Sequence, residues 1–148
     1  MTTPPNIAKN LTTEAPRSPK ILTGGYAILA RTIDKCRADI AGTIGEYHFD
    51  CPLDNQLFGF KGVKGPDFKA YVTEGHTDGE ILTWINTHGL PKTAAEIATW
   101  SSLAAANNYS DAPEKKTWLE GENVRLGLDK NATLFDMLAA DDVASFKK

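Results

Sequence analysis

Three small groups of residues have the types and spacing to do chemistry. The first is Thr23-Gly24-Gly25, preceded by Arg17 and Lys20. Paired glycines let a backbone approach a ligand closely, and a helix N-terminus just beyond them offers free N–H donors to an anion. Neither a Walker A nor a GxGxxG pattern is present, and the same glycines serve equally well as a turn or a close-packing point for another helix. The second is Arg37, which falls on the apolar edge of its predicted helix. It either clamps a carboxylate or phosphate bidentately, or lays its stem on Tyr26 with its head in water, or pairs with Asp34 one turn back. The third is the polar loop Glu46 to Asp54, which holds His48 and Cys51 in H-x-x-C spacing beside Asp50 and Asp54. Zinc sites use such spacing, but the second ligand pair is missing because Cys36 stands alone, so no metal is expected. A Cys51 nucleophile activated by His48 is a further reading. Side chains three apart converge in a helix, however, and Pro52 opposes a helix through that span. The plainer reading makes Cys51 a small buried hydrophobe.

The elements that must position these groups are helical. From Tyr26 to Ala41 the residues Tyr26, Leu29, Ile33, Cys36 and Ile40 form one stripe, with Arg31, Lys35 and Asp39 outside it. Gly42 ends that helix as a C′ residue. Ile44 to Cys51 is a loop or a short extended piece, in which Tyr47 and Phe49 alternate with polar residues. Asp50 is placed to cap a helix that carries Pro52 in its first turn and Leu53, Leu57 and Phe60 inward. Pro66 opens the next, with Phe68, Tyr71 and Val72 inward. Thr77-x-x-Glu80 and Thr93-x-x-Glu96 are capping boxes for two more. Ile81, Trp84, Ile85 and His88 follow the first, with His88 set to satisfy the last carbonyls. Ile97, Trp100 and Leu103 follow the second. Asp111 to Glu120 carries Trp118 and Leu119, and Asn131 to Ala140 carries Leu134, Phe135 and Leu138. All three tryptophans fall at core spacing, and Asp136, Asp141 and Asp142 read as a solvated face. The sum is an all-α fold, a single compact domain of six or seven short helices over residues 16–148. Residues 1–15, rich in Thr, Pro and Asn, form an irregular flexible tail.

Read together, Pro16-Arg17-Ser18-Pro19, Leu22 with Gly24-Gly25-Tyr26, Arg31 with Asp34-Lys35 and Arg37-Ala38, Gly45-Glu46-Tyr47-His48 and Cys51-Pro52-Leu53-Asp54 resemble a bacterial family, domain of unknown function 5069. The likeness is specific over residues 15–65, continues loosely through Asp78-Gly79-Glu80 and the Trp100 helix, then fades. Where that family often has Asn-Gly before Glu-Tyr, this chain has Ile44-Gly45. The resemblance implies a small, mostly helical bacterial protein and brings no catalytic residue with it.

The 148 residues carry a formal charge of -3. Residues 1–64 hold eight Lys/Arg against six Asp/Glu, and residues 65–148 hold eight against thirteen. No clustered basic face favours nucleic acid. No apolar run spans a membrane and no export signal leads the chain, so a soluble cytoplasmic protein with free thiols is expected. With no complete catalytic constellation, the expected function is a non-enzymatic binding or interaction domain for a small anionic ligand or a protein partner. Its candidate site residues are Arg17, Gly24, Gly25, Arg37, Glu46, His48 and Asp54. The alternative is a small hydrolase or a thiol- or metal-dependent enzyme built on His48 and Cys51.

Overall fold

The computed structural model describes residues 8–146. Within them seven helices run in order: α1 (Leu29–Ala41), α2 (Pro52–Lys61), α3 (Gly65–Thr73), α4 (Asp78–Thr87), α5 (Ala94–Ala106), α6 (Pro113–Arg125) and α7 (Leu134–Ser145). No strand is present among the described residues beyond an isolated bridge between Thr23 and Tyr26. Residues 44–51 form a loop of turns and irregular backbone, the first of the two forms expected of them, and no strand. No helix among the described residues is long and apolar enough to cross a membrane.

α1 is the axis of the fold. Every residue from Leu29 to Ala38 is buried, whatever its polarity. Arg31 and Lys35, expected on the outer face, are each only 3% exposed, whereas Ile40, expected inside, is 39% exposed. A helical wheel assumes one wet face; a helix enclosed on all sides has none. The apolar side of α1 meets Leu57, Phe58, Phe68, Val72, Ile81, Ile85, Ile97 and Phe135 in one core. Phe49, Phe58, Phe68 and Trp84 continue it as a chain of ring contacts with centroids 5.2–6.1 Å apart. A smaller cluster of Leu119, Leu134 and Met137 joins α6 to α7.

α1 begins at Leu29, three residues later than the periodicity predicts. Thr23 and Tyr26 exchange backbone hydrogen bonds of 3.0 Å around Gly24 and Gly25, which takes Tyr26 out of the helix. Both glycines have positive φ, and a Cβ at Gly24 would lie 2.5 Å from the Leu82 side chain of α4. At the other end Gly42 closes α1 in the left-handed conformation expected of it. Pro52 and Pro66 sit in the first turns of α2 and α3 as expected. The cap of α2 is Cys51 rather than Asp50. The residue before a proline is pushed to extended backbone, and Cys51 at ψ 172° adopts it.

Of the stretch expected to be a tail, residues 1–7 lie outside the described residues. Leu11 within it is buried, and its N–H donates to the Thr43 carbonyl at 2.8 Å. Leu103 is 68% exposed and Trp118 50% exposed, so neither fills the core that its spacing suggested. Asp142, read as part of a solvated face, is 7% exposed.

Capping boxes close the N-termini of α4, α5 and α7 at Thr77/Glu80, Thr93/Glu96 and Thr133/Asp136. Hydrogen bonds from the capping backbone hold the Glu80 and Glu96 carboxyls below the ordinary glutamate value. Asp136 is lowered chiefly by its bond from Lys20, then by Thr133. Because the folded values are depressed, this contribution is complete above the unfolded value of about 4 and is lost as pH falls through the lowered folded ones. Thr133→Ala should cost about 1 kcal/mol in denaturant unfolding at neutral pH. Wild-type stability should fall on acidification below about pH 4 as the three boxes protonate.

Candidate functional site

The Tyr47-to-Cys51 loop, the start of α2, the charged face of α1 and one side of α7 enclose a cavity of about 610 Å³. Leu11 and Thr12 of the N-terminal segment also line it, as do Tyr109 and Trp118 around α6. Local sequence explains how the loop comes to face α1. After Gly42 the Thr43 N–H returns to the Ala38 carbonyl at 2.8 Å, and the Thr43 carbonyl holds Leu11. Gly45, at φ 62°, passes so near this segment that a Cβ would lie 2.9 Å from the Leu11 carbonyl oxygen. The Asp50 N–H then donates to Asp54 Oδ2 at 2.9 Å, which ties the loop's end to the first turn of α2.

Two buried ion pairs form the polar end of the cavity. Arg31 grips Asp142 of α7 with both terminal nitrogens, at 2.7 and 3.2 Å. The Tyr47 hydroxyl donates to Asp142 Oδ1 at 2.8 Å, and its ring centroid lies 5.5 Å from the guanidinium carbon. Burial, then the Asp142 carboxylate, raise the Tyr47 pKa, so Tyr47 stays a donor. Lys35 lies 2.9 Å from Asp54 Oδ1, and the Thr32 hydroxyl donates to the same oxygen at 2.7 Å. The Lys35 ammonium also donates to Cys51 Sγ at 3.2 Å. Lys35 lies on the cavity lining with its ammonium held by Asp54 and Cys51. The lining also has an apolar part, Leu53, Leu134, Leu138 and the half-exposed indole of Trp118, and it carries the Asp141 carboxylate.

The residues singled out in the sequence divide between this cavity and other places. Glu46 and His48 line it. Asp54 lies behind Lys35, fully buried. Arg37 points away from it: Nη1 lies 2.8 Å from Asp78 Oδ1, and Nη2 donates to the His76 carbonyl at 2.9 Å. Arg17 belongs to the same group, forking onto Asp34 at 3.0 Å and reaching Asp78 at 2.9 Å. Gly24 and Gly25 pack toward α4 and α5. There the Ser101 hydroxyl donates to the Gly25 carbonyl at 2.7 Å and accepts the Ala27 N–H at 2.9 Å. His88 Nδ1 lies 2.8 Å from the Trp84 carbonyl at the end of α4. Among the described residues no three His, Cys, Asp or Glu side chains gather as a metal site requires.

Sequence reasoning missed Arg31, Lys35, Tyr47, Trp118 and Asp142. A signal for two of them was present. Arg31 and Lys35 are like charges four apart, which repel on an exposed helix and are tolerated when each has its own carboxylate. Asp142 and Asp54 supply those carboxylates from elsewhere in the chain.

The family model described as domain of unknown function (DUF5069) matches residues 13–144. The chain belongs to that family. The match takes in α1 through nearly all of α7, and so covers both halves of each ion pair at the cavity. Within the DUF5069 region the Arg17, Arg31, Lys35 and Arg37 side chains find their carboxylates at Asp34, Asp142, Asp54 and Asp78. No curated protein matches the chain.

Removing one partner of a buried pair strands the other charge. Asp142→Ala should therefore lower stability by about 3–5 kcal/mol, and the double variant Arg31→Met/Asp142→Leu should recover most of that loss. Lys69→Ala, which opens a half-exposed pair with Asp39, should cost no more than about 1 kcal/mol. Denaturant unfolding of the four proteins measures all three differences.

Proposed function

We propose that this DUF5069 protein is a non-enzymatic binding domain whose site is the cavity between α1, the 44–51 loop and α7. Its ligand is a small molecule with an apolar body and one anionic group. The observation that carries this reading is the polarity of the cavity. Arg31, Lys35 and His48 lie on its lining, with Glu46 and Asp141, together with Leu53, Leu134, Leu138 and Trp118. A volume of about 610 Å³ suits a metabolite-sized molecule. The Lys35 ammonium on the lining accounts for an acidic head, since a charge-assisted hydrogen bond is about twice as strong as a neutral one. The apolar walls account for a body that leaves water.

The thiol-enzyme alternative draws on the presence of Cys51 and His48 in the same cavity. A histidine base must reach the thiol within hydrogen-bonding distance. The partner of the Cys51 sulfur is the Lys35 ammonium instead, which favours the binding reading.

The 50% exposed Trp118 provides a reporter. Titration with medium-chain carboxylates and alkyl phosphates should change its emission saturably. The corresponding neutral methyl esters should bind roughly ten-fold or more weakly, the worth of one charge-assisted hydrogen bond. Leu138→Asp should abolish the response. Equal binding of acids and esters, or no saturable change with any of them, contradicts the proposal.

A further inference from the structure

We propose that Lys35 and Cys51 form an oxidative modification site, at which a peroxide joins the two side chains through a covalent N–O–S bridge. The inference stands whatever the cavity binds. Its basis is a contact between a thiol and a lysine ammonium that the fold holds still. Lys35 is 3% exposed on the enclosed helix α1, and Asp54 anchors its ammonium at 2.9 Å. Cys51 caps α2 between a turn and Pro52, and its sulfur lies 3.2 Å from that nitrogen. The thiol is half-buried on the cavity wall, so a molecule as small as hydrogen peroxide reaches it from solvent. The other thiol behaves differently. Cys36 is buried in the core, and burial pushes it up to about 12.

A thiol attacks one peroxide oxygen and releases water, leaving a sulfenic acid. That acid ordinarily condenses with a second thiol or a backbone nitrogen. Here the group in contact with the sulfur is an amine. The ammonium passes one proton to the Asp54 carboxylate beside it. The neutral amine, the sulfenic acid and a second peroxide then give N–O–S and two waters. One N–O bond forms, the sulfenic O–H and one N–H are lost, and the peroxide O–O bond takes up the two electrons. Per bridge, the thiol and amine consume two peroxides and release three waters. The product clamps the 44–51 loop to α1 and removes the Lys35 charge from the cavity.

The test uses the full-length protein treated with hydrogen peroxide, alkylated, digested and sequenced by tandem mass spectrometry. The expected product is a linked pair of peptides containing Lys35 and Cys51. Its mass exceeds the sum of the two by one oxygen and falls short by two hydrogens. A thiol reductant should release both peptides, and loss of free Cys51 should match loss of free Lys35 one for one. Cys51→Ser should yield no link, and in Lys35→Arg peroxide should carry Cys51 to the sulfinic acid. Wild-type Cys51 ending as a sulfinic acid or an intermolecular disulfide with Lys35 unlinked would overturn the proposal, as would a Cys51 that stays reduced.

Discussion

The structure depends on burying the ionic side chains of α1. Arg31, Asp34, Lys35 and Arg37 lie within seven consecutive residues and are all less than a tenth exposed. An unpaired charge in that setting costs several kcal/mol, so each must meet an opposite charge. The partners come from four separate places: Arg17 of the N-terminal segment, Asp54 of α2, Asp78 of α4 and Asp142 of α7. A helix that could be covered in many ways by apolar contacts alone is thereby covered in one. Apolar burial supplies the driving force, and ion pairing selects which element lies on which side.

The same constraint shapes the cavity. The Arg31 and Lys35 pairs face the 44–51 loop, and the Arg37 pair faces away toward α4. Tyr47 and Cys51 reach the two cations from the loop, through the Asp142 carboxylate in one case and by direct contact in the other. Charge that would be costly in a sealed core is thus placed at the boundary of a space that can take a ligand. The two ion-pair groups of α1 divide the labour: one fixes the N-terminal segment and α4, the other builds a pocket floor.

Much of the fold was legible in the sequence because it follows from local rules. Thr77/Glu80 and Thr93/Glu96 announced α4 and α5, Pro52 and Pro66 announced α2 and α3, and Gly42 marked the end of α1. DUF5069 membership was legible in the clustered glycines and charges between Pro16 and Asp54. The site was less legible because it depends on distant partners. Nothing local tells that Asp142 meets Arg31 across more than a hundred residues, so a helical wheel puts Arg31 in water and Asp142 on a solvated face. Arg37 stood out because its neighbours on the wheel are apolar. Arg31 and Lys35 did not stand out, although their burial is deeper. Trp118 misled in the opposite sense, since its spacing fits a core but its indole borders the cavity.

The central claim is that α1 is organised by paired buried charge, and a double-mutant cycle on Lys35 and Asp54 tests it most directly. Lys35→Met and Asp54→Leu should each destabilise by about 3 kcal/mol or more, because each leaves the other charge stranded in the interior. The double variant should lose much less than the sum, giving a coupling of at least about 2 kcal/mol. Single losses below about 1 kcal/mol that simply add, as for an exposed pair, would contradict the account.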